Sequence, residues 1–139
     1  MAIFRNLSAL VGRLLLGWFF TSQAVDRIND WGAMVILVQM KQVPFGHVLL
    51  ALSLIAMFFG SVGLVSGFQT RFSAVVLAVC TAAWIGVAHD FWTIQNPLVQ
   101  AADYQIFALG IAIIGGLLSY VAFGAGGISI DEMGNEETI

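Results

Sequence analysis

The sequence predicts an all-α fold, an integral membrane four-helix bundle with one short interfacial helix between its first and second spans. Three observations carry that expectation. Of its 139 residues, 60% are hydrophobic and only 9% charged, against roughly a quarter charged in soluble domains. Too few polar residues remain to cover a soluble surface, so lipid or a partner must cover it, and lipid is the simpler answer. The apolar residues also fall in four continuous runs, each near the about 20 residues a helix needs to cross hydrocarbon. Finally, these runs lack the alternation over about ten residues that marks a transmembrane barrel, the other structure whose backbone is satisfied in lipid.

The first span is expected over about 7–28. Its apolar run carries Arg13 and ends on Thr21, Ser22 and Gln23. A cleaved signal peptide is the rival, with Ser22-Gln23-Ala24 as the cleavage site, but Arg13 breaks the apolar region that such a peptide requires. The mixed stretch that follows, with Asp26, Arg27, Asn29, Asp30, Lys41 and Gln42, encloses a segment over 31–40 that is too short to span. There Trp31, Met34, Val35 and Val38 recur at helical spacing and Asp30 stands at the N-cap position, the pattern of a helix lying on the headgroups.

Spans two and three are expected over 47–68 and 72–92, joined by a turn so short that they must be antiparallel neighbours. Small residues occupy both: Gly60, Ser61, Gly63 and Gly67 in one, and Ala74, Ala78, Ala82 and Gly86 at steps of four in the other. The second set predicts a ridge along which backbones approach closely. After a polar loop containing Asn96 and Pro97, the fourth span is expected over 104–123. The acidic stretch 131–139 then reads as a solvated, mobile tail, and the whole chain 1–139 as one transmembrane domain.

A formal net charge of −3 and five Lys and Arg leave no basic surface for phosphates, so no nucleic-acid partner is expected. Cys80, alone in an apolar run, reads as a packing residue. Arg5, Arg13 and Arg71 fall on the terminal side of the spans and Arg27 and Lys41 on the other, which favours cytoplasmic termini.

Arg13 is the intramembrane charge. It either snorkels to the headgroups or turns inward toward Ser61, Thr81, Ser119 or Tyr120. At the opposite membrane face the span ends bring together Gln23, His47, His89, Asp90, Trp92, Asp103 and Tyr104, a face that can hold a ligand or partner. Neutral imidazoles suit a metal, haem or quinone carbonyl. Interfacial anchoring is the plainer account of His, Trp and Tyr there. Two histidines make a poor zinc site, which takes about three or four protein ligands, and no metal is expected. No catalytic residue is identified.

In these pieces the chain resembles the DoxX family of small four-span membrane proteins. The likeness rests on Arg13-Leu-Leu-Leu-Gly17, Phe20 to Ser22, the interfacial segment ending at Pro44, the Gly67-Phe-Gln-Thr-Arg71 turn, His89-Asp-Phe-Trp92 and the closing stretch from Gly124 to Asp131. It departs from that family's usual pattern at Gln23, at Asp26-Arg27, and at Met57, where a glutamate is usual. The resemblance implies a membrane subunit of a quinone-linked oxidoreductase system in a bacterial inner membrane, with quinone as the cofactor and a redox-enzyme subunit as the partner. The alternatives are a noncatalytic scaffold that forms a homo-oligomer and, more weakly, a small-solute transporter.

Overall fold

The computed structural model describes residues 2–136; the expected tail at 137–139 lies outside the described residues. The chain is all-helical and contains four helices long and apolar enough to span a membrane, plus a short apolar helix. The long helices are α1 (Ala2–Asn29), α3 (Gly46–Ser66), α4 (Thr70–Ala88) and α5 (Pro97–Phe123); the short ones are α2 (Trp31–Met40) and α6 (Ile130–Glu136).

Local chemistry sets several of these boundaries. Asn96 caps α5 by accepting the Leu98 N–H at 3.1 Å, and Pro97 stands in the first turn, where its missing N–H costs nothing. This start lies seven residues before Tyr104, because the helix continues beyond its most apolar stretch. Gly67 ends α3 in the left-handed conformation (φ 72°). Between α1 and α2, Asp30 does occupy the N-cap position, but its side chain makes no cap bond. The Asp30 N–H instead continues the α1 pattern to the Asp26 carbonyl at 2.9 Å, so one helix runs almost directly into the next.

α1 packs on α3, α3 on α4, and α4 on α5. The core joins Phe20 and Ala24 of α1, Met57 and Leu64 of α3, Ala74, Leu77 and Ala78 of α4, and Leu117 of α5. Small residues decide the α3–α4 distance. A methyl added at Gly60 would lie 2.9 Å from Leu77, and one at Gly63 would strike Ser73 Oγ. The expected α4 ridge is only half used: Ala74 and Ala78 are buried, whereas Ala82 and Gly86 are exposed. Steps of four overshoot a 3.6-residue turn by about 40° each, so such a row winds off the contact face.

α5 is the least buried span, with Gly110 and Leu117 its buried residues. Near the chain termini it is tied to α1, where the Tyr120 hydroxyl donates to the Ala9 carbonyl at 3.0 Å. Toward the other end α1 and α5 stand apart across a cleft.

After α5 the chain folds back over the bundle end. Arg13 donates to the Ile128 carbonyl, the Asp131 N–H donates to the Gly67 carbonyl at 2.9 Å, and the Gly127 N–H donates to Asn6 Oδ1 at 3.2 Å. Two expectations are thereby corrected. Arg13 does not snorkel: it turns inward, 1% exposed, and its partner is a backbone carbonyl rather than Ser61, Thr81, Ser119 or Tyr120. Asp131, expected to begin a solvated tail, is bound to the α3–α4 turn.

A cleft between α1, α4 and α5 as candidate functional site

The buried face of α1 reads Arg13, Gly17, Phe20, Ala24, Arg27. These positions alternate steps of four and three, which keeps them on one side of a helix. An arginine therefore stands at each end of the face that α1 presents to the bundle. The first is held by the returning chain, as described; the second has no comparable anchor.

Arg27 is 7% exposed. Its guanidinium lies 4.0 Å from the centroid of the Trp84 ring, and its Nη1 donates to Met57 Sδ at 3.1 Å. Met57 is eleven residues past the start of α3 at Gly46, about 16 Å along the helix at 1.5 Å per residue. No carboxylate pairs with Arg27 among the described residues. A cation–π contact is worth about 0.5–2 kcal/mol, and thioether sulfur is a weak acceptor. Arginine at the centre of a span costs roughly 2.5–3.5 kcal/mol on insertion scales; Arg27, in the last turn of α1, costs less, and these contacts offset part of it. Arg27 is a desolvated cation without a counter-charge of its own.

Two cavities adjoin it. A cleft of about 520 Å³ between α1, α4 and α5 is lined by Phe20, Gln23, Arg27, Thr81, Trp84 and His89, with Ile106 to Ile113 as its α5 wall. A groove of about 330 Å³ between α2, α3 and α4 also reaches Arg27, Cys80 and Trp84, and its other walls are almost wholly apolar. The two share Arg27, Cys80 and Trp84 as walls.

The expected polar face is divided into four groups. His89 and Gln23 line the cleft. Asp103 accepts from His89 Nδ1 at 2.8 Å, which fixes the imidazole ring, while the other Asp103 oxygen is buried without a partner among the described residues. His47 lies elsewhere, sharing a 3.1 Å hydrogen bond with Gln39 of α2. Asp90 pairs with Lys41 and thereby ties the α4 end to the α2 end. Trp92 and Tyr104 join Phe91 and Phe107 in an edge-to-face aromatic cluster, with Phe91 at 5.1 Å from Trp92 and 5.2 Å from Tyr104. Among the described residues no group of three or more His, Cys, Asp and Glu side chains is placed to hold a metal.

Arg27 itself was not among the site residues expected from sequence, where it appeared as one more polar residue flanking the first span. The signal that could have found it is the four-three spacing back to Phe20 and Arg13, which turns it toward the core.

The model of the SURF4 family matches residues 32–136. The Surfeit locus protein 4 homolog of Drosophila melanogaster is 30% identical over 131 residues, covering 92% of this chain. The chain spans about two-fifths of the length of that relative, 41%. No solved structure matches.

These matches overturn the DoxX resemblance, and with it the quinone-linked oxidoreductase subunit, its quinone cofactor and its redox partner. The structure shows why the likeness misled. Arg13, the Gly67 to Arg71 turn and the stretch from Gly124 to Asp131 are the pieces that clasp one end of the bundle together. They close one end of the four spans. Two of the departures, Arg27 and Met57, touch each other at the cleft. With the family model covering three-quarters of its length, this four-span chain belongs to the SURF4 family.

Proposed function

We propose that the chain is a membrane-embedded receptor, which holds a ligand in the cleft between α1, α4 and α5. The single observation that carries this reading is Arg27, a nearly buried cation that lines the cleft without a counter-charge among the described residues. A cavity of about 520 Å³ falls in the range of about 300–1,000 Å³ typical of ligand sites, and its apolar walls with a few convergent polar groups fit the same type. In this reading Gln23 and the His89–Asp103 pair supply directional hydrogen bonds, and Trp84 stacks over the cation that receives the ligand.

The termini and the α3–α4 turn are assigned to the cytoplasmic side. Arg13 and Arg27 are buried and no longer count as flanking anchors, which leaves Arg5 and Arg71 against Lys41. The bacterial inner membrane was an expectation of the DoxX resemblance and is not carried forward.

The receptor reading is tested by native mass spectrometry of the chain released from nanodiscs formed from its own membranes. A retained adduct is expected on the wild-type chain and on Ile111→Phe, which alters an exposed outward position. It is expected to disappear in Thr81→Phe, which fills the cleft. An adduct that survives Thr81→Phe, or a wild-type chain with none, would defeat the reading.

A further inference from the structure

Resting on the receptor reading, we propose that the ligand is a long-chain fatty acid, its carboxylate seated in the cleft on Arg27 and its chain lying in the adjoining apolar groove between α2, α3 and α4, which shares Arg27, Cys80 and Trp84 with the cleft. The first support is charge. Of the five N–H groups on a guanidinium, the one hydrogen bond that Arg27 makes among the described residues is to Met57 Sδ. A carboxylate carries a single charge and accepts the planar guanidinium in a bidentate pair, which matches one arginine. A phosphate monoester would bring about −1.5 to −2 and leave part of its charge uncompensated.

Shape is the second support. The groove shares Arg27, Cys80 and Trp84 with the cleft, and its remaining walls are Val38, Val43, Leu50, Ala56, Val87 and their apolar neighbours. It is open sideways, because Leu49, Leu52 and Val79 line it and are each half or more exposed. An occupant therefore enters from the surrounding hydrocarbon. The groove, of about 330 Å³, is open along its side, so an acyl chain lies in it and continues into the lipid. A single acyl chain is slender enough, and the cation at the groove's end supplies what an uncharged chain could not use.

Trp84 provides the probe, since it faces both cavities and touches Arg27. Trp18, Trp31 and Trp92 are exposed, so a chain carrying Trp18→Phe, Trp31→Phe and Trp92→Phe keeps Trp84 as its sole indole. In nanodiscs of zwitterionic lipid, dibromostearic acid is expected to quench this fluorescence saturably, at concentrations at least tenfold below those needed for its methyl ester. The tenfold preference should vanish in Arg27→Gln, persist in Arg27→Lys, and weaken in Val79→Phe, which fills the groove. Equal quenching by acid and ester overturns the proposal on the unsubstituted Arg27 background, so the test stands even if Arg27→Gln does not fold. A preference that survives Arg27→Gln, or is untouched by Val79→Phe, overturns the head or the chain placement respectively. Dibrominated lysophosphatidic acid binding more tightly than the fatty acid would replace carboxylate by phosphate and defeat the proposal as stated. If the adduct lost in Thr81→Phe is found while the acid shows no preference, the receptor reading stands and the fatty-acid assignment falls.

Discussion

Asp131 caps a helix that begins sixty-one residues before it: its carboxylate accepts the Thr70 N–H at 2.9 Å and the Gln69 N–H at 2.7 Å. Gln69 occupies the N-cap position in a left-handed conformation and makes no side-chain cap bond of its own. The start of α4 is therefore completed by a residue from the returning chain, which couples the α3–α4 turn to the segment that also receives Arg13.

Removing this remote cap has a predictable size. Asp131→Ala is expected to lower stability by about 0.5–2 kcal/mol, the usual cost of losing an N-cap. Thermal unfolding in mild detergent measures it, and an unchanged midpoint would show that the cap contributes nothing.

The same carboxylate sets an acid limit. Burial pushes the Asp131 carboxyl up, but the N–H groups of Thr70 and Gln69 and the charge of Arg13 outweigh this and hold it below the usual range. A carboxyl lowered on folding gives stability that is complete above its unfolded value, about 3.9, and is lost as pH falls through the lower folded value. The stability difference between wild type and Asp131→Asn is therefore expected to be constant from pH 7 to 5 and to shrink below about pH 4. Melting midpoints across that range decide it.

Gly67→Ala should be more damaging than its one methyl suggests. The residue has φ 72°, and an added Cβ would meet Arg13 Nη1 and lie 2.5 Å from Ser129 Cβ. A left-handed non-glycine residue alone costs of order 1–3 kcal/mol, and the clash adds to it. Limited proteolysis is expected to cut the 124–131 segment faster in this variant.

Two substitutions of similar bulk separate the faces of the α3–α4 hairpin. Gly63→Leu is expected to destabilise by about 1–3 kcal/mol through overpacking against Ser73, whereas Ala82→Leu, on an exposed position, should stay within about 0.5 kcal/mol. Equal effects would place the hairpin contact elsewhere.

The Lys41–Asp90 pair joins α2 to the end of α4. Its side chains keep 32% and 23% of their exposure, so Lys41→Ala should lower the melting midpoint only slightly, and the loss should shrink with added salt.

The spans were legible in the sequence because hydrophobicity is a local property of each run: nothing beyond residues 46–66 is needed to recognise α3. The short helix was legible for the same reason. What was not legible depends on pairs distant in the chain. Arg13 had two acceptable fates from span arithmetic, and the choice between them was made by a carbonyl 115 residues away. The His47 and His89 ends looked equivalent as interfacial imidazoles, yet Gln39 takes one and Asp103 the other. Arg27 stood among polar neighbours that concealed its orientation, although helical periodicity from Phe20 and Ala24 pointed it inward. The family resemblance rested on short motifs, several of which close one end of the bundle.

The bond between Arg13 and Ile128 also sets a timetable for biogenesis. The two residues are separated by 115 positions, and a ribosome adding 5–20 residues per second needs roughly 6–23 s to make that stretch. Throughout that interval α1 carries a cation whose eventual acceptor does not yet exist. Only the closing segment supplies that acceptor, so a chain truncated before Ile128 leaves Arg13 without it.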